Sequence, residues 1–133
     1  MAKFIVEGGH HLKGEIRPQG AKNEALQIIC ATLLTKERVV LHNVPIIADV
    51  MQLLDLMSHM GVKVERLSDD DFALQADEIN LDYLRSADYH KRCRRLRGSV
   101  MMIGPLLTRF GVGYMPKPGG DKIGRRRLDT HFI

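Results

Sequence analysis

The sequence predicts an α/β fold built from a repeated unit. Helical and strand periodicities alternate along the chain, a short motif recurs at a fixed offset, and the composition suits a chain that buries a core. Of the 133 residues, 44% are hydrophobic and 27% charged. A chain of that size and balance closes a core without metals or disulfides.

Phe4 to Glu7 and Leu12 to Arg17 alternate as half-buried strands do, around a turn at Gly8-Gly9. From Glu24 to Leu34 the apolar positions 25, 26, 28, 29, 33 and 34 mark a largely buried helix, with Asn23 as its expected N-cap. Val39 to Val44 reads as a strand stopped by Pro45. Ala48 to Met60 reads as a second helix with Val50, Leu53, Leu54, Met57 and Met60 on one face and Gly61 as its C-terminal stop. Val62 to Leu67 and Phe72 to Gln75 form a hairpin whose tip, Ser68 to Asp71, is a solvated run of acids. The order is helix, strand, helix, strand, strand. A long helix is expected from Tyr89 to Leu107, kinked or broken at Pro105, and then a strand from Gly111 to Met115.

Leu33-Leu34-Thr35-Lys36 matches Leu106-Leu107-Thr108-Arg109 at an offset of 73, and at the same offset Val39 meets Val112 and Pro45 meets Pro118. In both copies an apolar helix precedes the match and a strand follows it. The second copy stops near Leu128 to Ile133, where its next helix should begin. The pattern predicts one complete unit and part of a second, with apolar surface left uncovered.

Net charge is +4, concentrated in Lys91 to Arg97 and Lys122 to Arg127. Such clusters attract anions: nucleic acid, nucleotides or phosphorylated metabolites. Aromatics are only 5% and do not interleave with the basic residues, so a single-strand binder is disfavoured and nucleic acid is not the expected partner. The runs of apolar residues are too short to span a bilayer, and no signal peptide is expected. Cys30 sits in an apolar run and is expected to be buried, and Cys93, among basic residues, to be an exposed thiol. Two isolated cysteines offer no zinc spacing and suit a reducing cytoplasm. The histidines are scattered and form no metal set.

The strongest local signal is Lys117-Pro118-Gly119-Gly120-Asp121-Lys122-Ile123-Gly124-Arg125-Arg126-Arg127. Its glycines permit close backbone approach to a ligand, its arginines are forked donors for phosphate or carboxylate, and Asp121 is a carboxylate set in that positive field. Proton transfer by Asp121 and a surface turn capped by Asp121 are both compatible with this pattern. Lys22, just before a helix, suits phosphate.

Gly20-Ala21-Lys22-Asn23, Leu96-Arg97-Gly98-Ser99, Gly104 to Gly111, Pro118-Gly119-Gly120, Ile123-Gly124, Arg126 and Asp129-Thr130-His131 together resemble the enolpyruvyl transferases that act on a UDP-amino sugar. The similarity runs over nearly the whole chain. It implies an inside-out barrel of two domains, each of three βαβαββ units. Residues 1–19 would be strands of the second, C-terminal domain. Residues 20–133 would be a partial first domain, truncated within its second unit. Members are much longer, so the resemblance implies an N-terminal part that lacks the remainder of the enzyme as a partner and is inactive alone. The implied substrates are phosphoenolpyruvate and UDP-N-acetylglucosamine, with no cofactor and no metal. Lys22 and Arg126 would neutralise the phosphate, Asn23 would orient the sugar hydroxyls, and Arg97 would bind the nucleotide-sugar side. Arg127, Leu128, Asp129 and Thr130 would contact the UDP end, and Asp121 would be the acid. Two positions depart from the family: Asp121 replaces the usual cysteine, the target of an epoxide antibiotic, and Arg127 replaces a usual proline. The competing readings are a shikimate-pathway enolpyruvyl transferase, whose lysine precedes serine-containing motifs, and a basic α/β nucleic-acid-binding module.

Overall fold

A computed structural model describes residues 3–117. The first regular element is helix α1, Lys22–Ala31, which tightens into a 3₁₀ turn at Thr32–Leu34. Strand β1 is Arg38–Leu41, helix α2 is Ala48–His59, and β2, Lys63–Arg66, pairs with β3, Phe72–Gln75. The fold is mixed α/β, with a three-stranded antiparallel sheet in the order β1-β3-β2. Arg38 and Lys63 both oppose Gln75, and Leu41 and Arg66 both oppose Phe72. One sheet face carries Leu41, Val64, Phe72 and Leu74 into the core. On the other, Arg38 donates to Glu65 at 2.8 Å.

Helix α2 is the centre of the core. Val50, Leu53, Leu54, Leu56 and Met57 are buried along it, and Met60 follows as its C-cap. The expected apolar face is therefore present. Gly61 ends the helix at φ +104°, where a Cβ would meet the Glu78 carbonyl oxygen at 2.6 Å. Only glycine adopts that conformation in that space. The 67–71 turn and the β2–β3 hairpin also form as the sequence predicts.

Several elements differ. Residues 3–19 carry no regular structure, so the strands expected at Phe4 to Glu7 and Leu12 to Arg17 are not formed. Alternation marks a face to bury, but a strand also needs a ladder partner, and none lies beside this segment among the described residues. Phe4, Val6 and Leu12 stand 92%, 89% and 98% exposed. Along α1 and its 3₁₀ turn, Ile28 and Leu34 are exposed while Ala25, Leu26, Ile29, Cys30 and Leu33 are buried. Strand β1 stops at Leu41, because Asn43 turns the chain with φ 54°.

The long helix expected from Tyr89 to Leu107 is broken. A 3₁₀ turn spans Leu81–Arg85, α3 spans Ala87–Cys93, a second 3₁₀ turn spans Arg97–Met102, and α4 spans Ile103–Phe110. Ser86 caps α3 by accepting from the Tyr89 N–H at 3.0 Å. The break follows packing: Leu96 turns inward in extended conformation, and Gly98 lies against Leu26, whose Cδ1 would be 3.1 Å from an added Cβ. Pro105 kinks nothing, because it falls in the first turn of α4, where its missing N–H has no intrahelical acceptor to lose. The strand expected at Gly111 to Met115 is absent too. Gly111 ends α4 at φ +66°, and the chain returns along α3, where the buried Tyr89 hydroxyl donates to the Tyr114 carbonyl at 3.0 Å.

The two copies of the sequence repeat face each other. Arg109, from the second copy, directs Nη1 at the carbonyl oxygens of Leu33 and Thr35, each at 3.0 Å, and of Ala76 at 2.6 Å. Its guanidinium also lies 4.8 Å over the Phe110 ring. One cation thus satisfies the carbonyls where α1 ends and where β3 leaves the sheet. Hydrogen bonds from a charged donor contribute about 1.5–3 kcal/mol. Arg109→Ala is therefore expected to lower unfolding stability by about 2–3 kcal/mol, and Arg109→Lys, which keeps the charge but loses the planar guanidinium over Phe110, to recover only part of it. Urea unfolding followed by circular dichroism measures both.

Candidate active site

The site grows from the way the chain enters α1. Gly20 packs on the loop after β1 so closely that an added Cβ would sit 2.0 Å from the Asn43 carbonyl oxygen. That loop is itself held from the hairpin tip. Asn43 N–H donates to Asp71 Oδ1 at 3.2 Å, His42 Nδ1 lies 3.1 Å from the same oxygen, and Val44 N–H donates to the Asp70 carbonyl at 2.7 Å. Partial burial pushes the Asp71 carboxyl up, but the donors Asn43, His42 and Ser68 outweigh it and hold the group below its usual value. Asp71 is thus a latch rather than part of a merely solvated tip.

Beyond Gly20, Ala21 is the N-cap of α1 and Lys22 its first residue. Asn23 is inside the first turn, not at the cap, and is exposed. Neither Ala21 nor Ile47, the N-cap of α2, supplies a side-chain cap. The Lys22 ammonium forms an ion pair with Asp49, the second residue of α2, so the two helix starts meet across one pair of side chains. Free N–H groups and the positive ends of two helix dipoles favour an anion here. A recess of about 310 Å³ opens beside α1, lined by Gly20, Ala21, Glu24, Ile28, Val40 and Asn43 among others.

Arg97 begins the 3₁₀ turn that packs on α1, is exposed, and forms no ion pair among the described residues. The structure therefore sets Lys22, Asn23 and Arg97 on adjoining elements. Asp121, Arg126, Arg127, Leu128, Asp129 and Thr130, with the glycine-rich loop, lie outside the described residues. The sequence reading missed Asp49. An acid in a first turn signals only a dipole partner, and its lysine is remote in the chain.

The first basic cluster is not one patch. Arg92 is engaged by Asp55, by Asp88 at 2.7 Å and by His59 at 3.0 Å, while Lys91, Arg94 and Arg95 remain exposed. Cys93 is buried, contrary to the expected exposed thiol, and burial raises its pKa. A cysteine's neighbours in sequence point elsewhere on the helix, so their charge does not reach it. Burial likewise pushes Cys30 up to about 12. Among the described residues no cluster of His, Cys, Asp or Glu could hold a metal ion, and no helix is long and apolar enough to cross a membrane.

The fold is that of an enolpyruvyl transferase. The enolpyruvyl transferase NikO from Streptomyces tendae superposes with a TM-score of 0.61 over 80% of this chain and 24% of its own, at 24% identity. The model of the EPSP synthase (3-phosphoshikimate 1-carboxyvinyltransferase) family matches residues 6–132, and the chain belongs to that family. Within it, the chain is 59% identical over its whole length to the UDP-N-acetylglucosamine 1-carboxyvinyltransferases of Porphyromonas gingivalis and Bacteroides fragilis, covering 31% of each. It is 46% identical to the enzyme of the same name from Bradyrhizobium diazoefficiens, over 98% of this chain and 30% of the relative. The chain thus spans about a third of the length of these curated relatives.

Because Gly20 has no room for a side chain, Gly20→Ala is expected to cost about 1–3 kcal/mol by overpacking, read as a lower urea midpoint. Both thiols are expected to resist a water-soluble disulfide reagent in the folded chain and to react once it is unfolded, which absorbance of the released thiolate measures.

Proposed function

We propose that this chain is the N-terminal part of an enzyme that transfers the enolpyruvyl group of phosphoenolpyruvate to the 3-hydroxyl of UDP-N-acetylglucosamine. Phosphate is released by addition and then elimination. The single observation that carries the reading is the 59% identity over the whole chain to relatives bearing that activity in their names. The reaction is the first committed step of peptidoglycan synthesis and takes place in the cytoplasm.

In this reading Lys22, at the two helix starts, neutralises the phosphoenolpyruvate phosphate, and Arg126 joins it as charge shifts in the transition state. Asn23, one residue on, orients the sugar hydroxyls. Arg97 binds the nucleotide-sugar side, and Arg127, Leu128, Asp129 and Thr130 contact the UDP end. Asp121 protonates the reacting carbon where the family usually uses a thiol. Residues 1–19 belong with the second domain and 20–133 with the first. The uncovered side chains of Phe4, Val6 and Leu12 fit a segment whose sheet lies in another part of the protein. The site then lies between domains, and this chain holds only one side of it.

The purified chain is therefore expected to release no phosphate from the two substrates. Joined to the remaining part of the Bacteroides fragilis relative, it is expected to release phosphate with UDP-N-acetylglucosamine and not with shikimate 3-phosphate. Asp121→Ala should slow that release about 10²–10⁴-fold, the usual contribution of a general acid. The reverse acceptor preference, or turnover by the chain alone, overturns the reading. The same assembly is expected to keep its activity during incubation with the epoxide antibiotic. A carboxylate lacks the nucleophilicity of a thiolate, so mass spectrometry should find no adduct on residues 118–124.

A further inference from the structure

The ion pair of Lys22 with Asp49 joins two elements that electrostatics would otherwise keep apart. Each helix start carries the positive end of its dipole, and an ammonium placed between two such ends is repelled by both. Lysine also has a long flexible stem, so an untethered Lys22 would spend most of its time in solvent. The Asp49 carboxylate reverses that balance. It lies in the first turn of α2, where a negative charge is favoured, and it draws the ammonium to the mouth of both helices. The side chains of Lys22 and Asp49 are 50% and 38% exposed, so the pair is partly accessible to solvent.

We propose that Asp49 is a positioning residue for phosphate recognition by Lys22, a role that rests on the transferase reading above. Before substrate binds, Asp49 holds the ammonium at the helix starts. The phosphate of phosphoenolpyruvate then meets a lysine already in place, together with the uncapped N–H groups of α1. Asp49 acts only through Lys22 and touches no reacting atom.

The test uses the assembly of residues 1–133 with the remaining part of the Bacteroides fragilis relative, assayed by phosphate release. Asp49→Asn keeps the shape and removes the charge. It is expected to raise the KM for phosphoenolpyruvate about tenfold, with kcat changed by less than about threefold, the signature of lost ground-state binding. The KM for UDP-N-acetylglucosamine should not move, and Asp49→Glu should restore most of the loss. In a Lys22→Ala background Asp49→Asn should have no further effect on that KM. Asp49→Ser, too short to reach the ammonium, is the second variant should Asp49→Asn fold poorly, and it must show the same selective rise. If Asp49 only complements the α2 dipole, the variants will lower the urea midpoint and leave the phosphoenolpyruvate KM unchanged, which overturns the proposal. Absence of phosphate release from the unsubstituted assembly overturns the transferase reading and the positioning role with it.

Discussion

The guanidinium of Arg109 is the tie on which the arrangement of the described residues depends. Three carbonyls from two elements converge on it: those of Leu33 and Thr35, where α1 runs out, and that of Ala76, just past β3. Without a donor there, the end of α1 and the end of the sheet's central strand would present unsatisfied acceptors next to a dry core. Because Arg109 itself belongs to α4, the same bonds fix α4 against α1. Leu33 and Leu106, equivalent residues of the repeat, are both fully buried close to this junction. The repeat is therefore more than a trace in the sequence, since its second copy caps its first.

At the opposite end of α1 the physics is reversed. There the exposed groups are N–H donors, and the N-cap residue Ala21 supplies no side-chain cap. The chain reaches that point through a sequence of close contacts: hairpin tip to loop, loop to Gly20, Gly20 to Lys22. Two of them depend on particular residues: Asp71 Oδ1 meets both Asn43 N–H and His42 Nδ1, and only glycine fits beneath the Asn43 carbonyl. One end of the helix is neutralised by protein and the other is left for an anion. This polarity agrees with a family whose members handle phosphorylated substrates.

What was legible in the sequence follows from how local its cause is. The buried face of α2, the glycine stop at Gly61 and the β2–β3 hairpin depend on periodicity and turn chemistry, which neighbouring residues carry. The breaks between α3 and α4 do not. They arise because Gly98 must lie on Leu26 and Tyr89 must reach the Tyr114 carbonyl, and those partners are distant in sequence. Alternation in residues 4–17 signals a face in need of cover but does not supply the cover. Cys93 was misjudged from the charge of its sequence neighbours, which a helix turns to other sides. At the site, Lys22 was legible from its place before a helix and Arg97 from motif likeness, whereas their shared support on α1, and Asp49, became visible only in three dimensions.

Arg109 also sets a clock. Its two partners at the end of α1 precede it by 76 and 74 residues. A ribosome adding about 5–20 residues per second would make Leu33 roughly 4–15 s before Arg109. During that interval α1, the sheet and α2 are already synthesised, yet the end of α1 has no cap. The unit would wait, partly ordered, for a residue of the next one, and its folding would be coupled to the pace of translation.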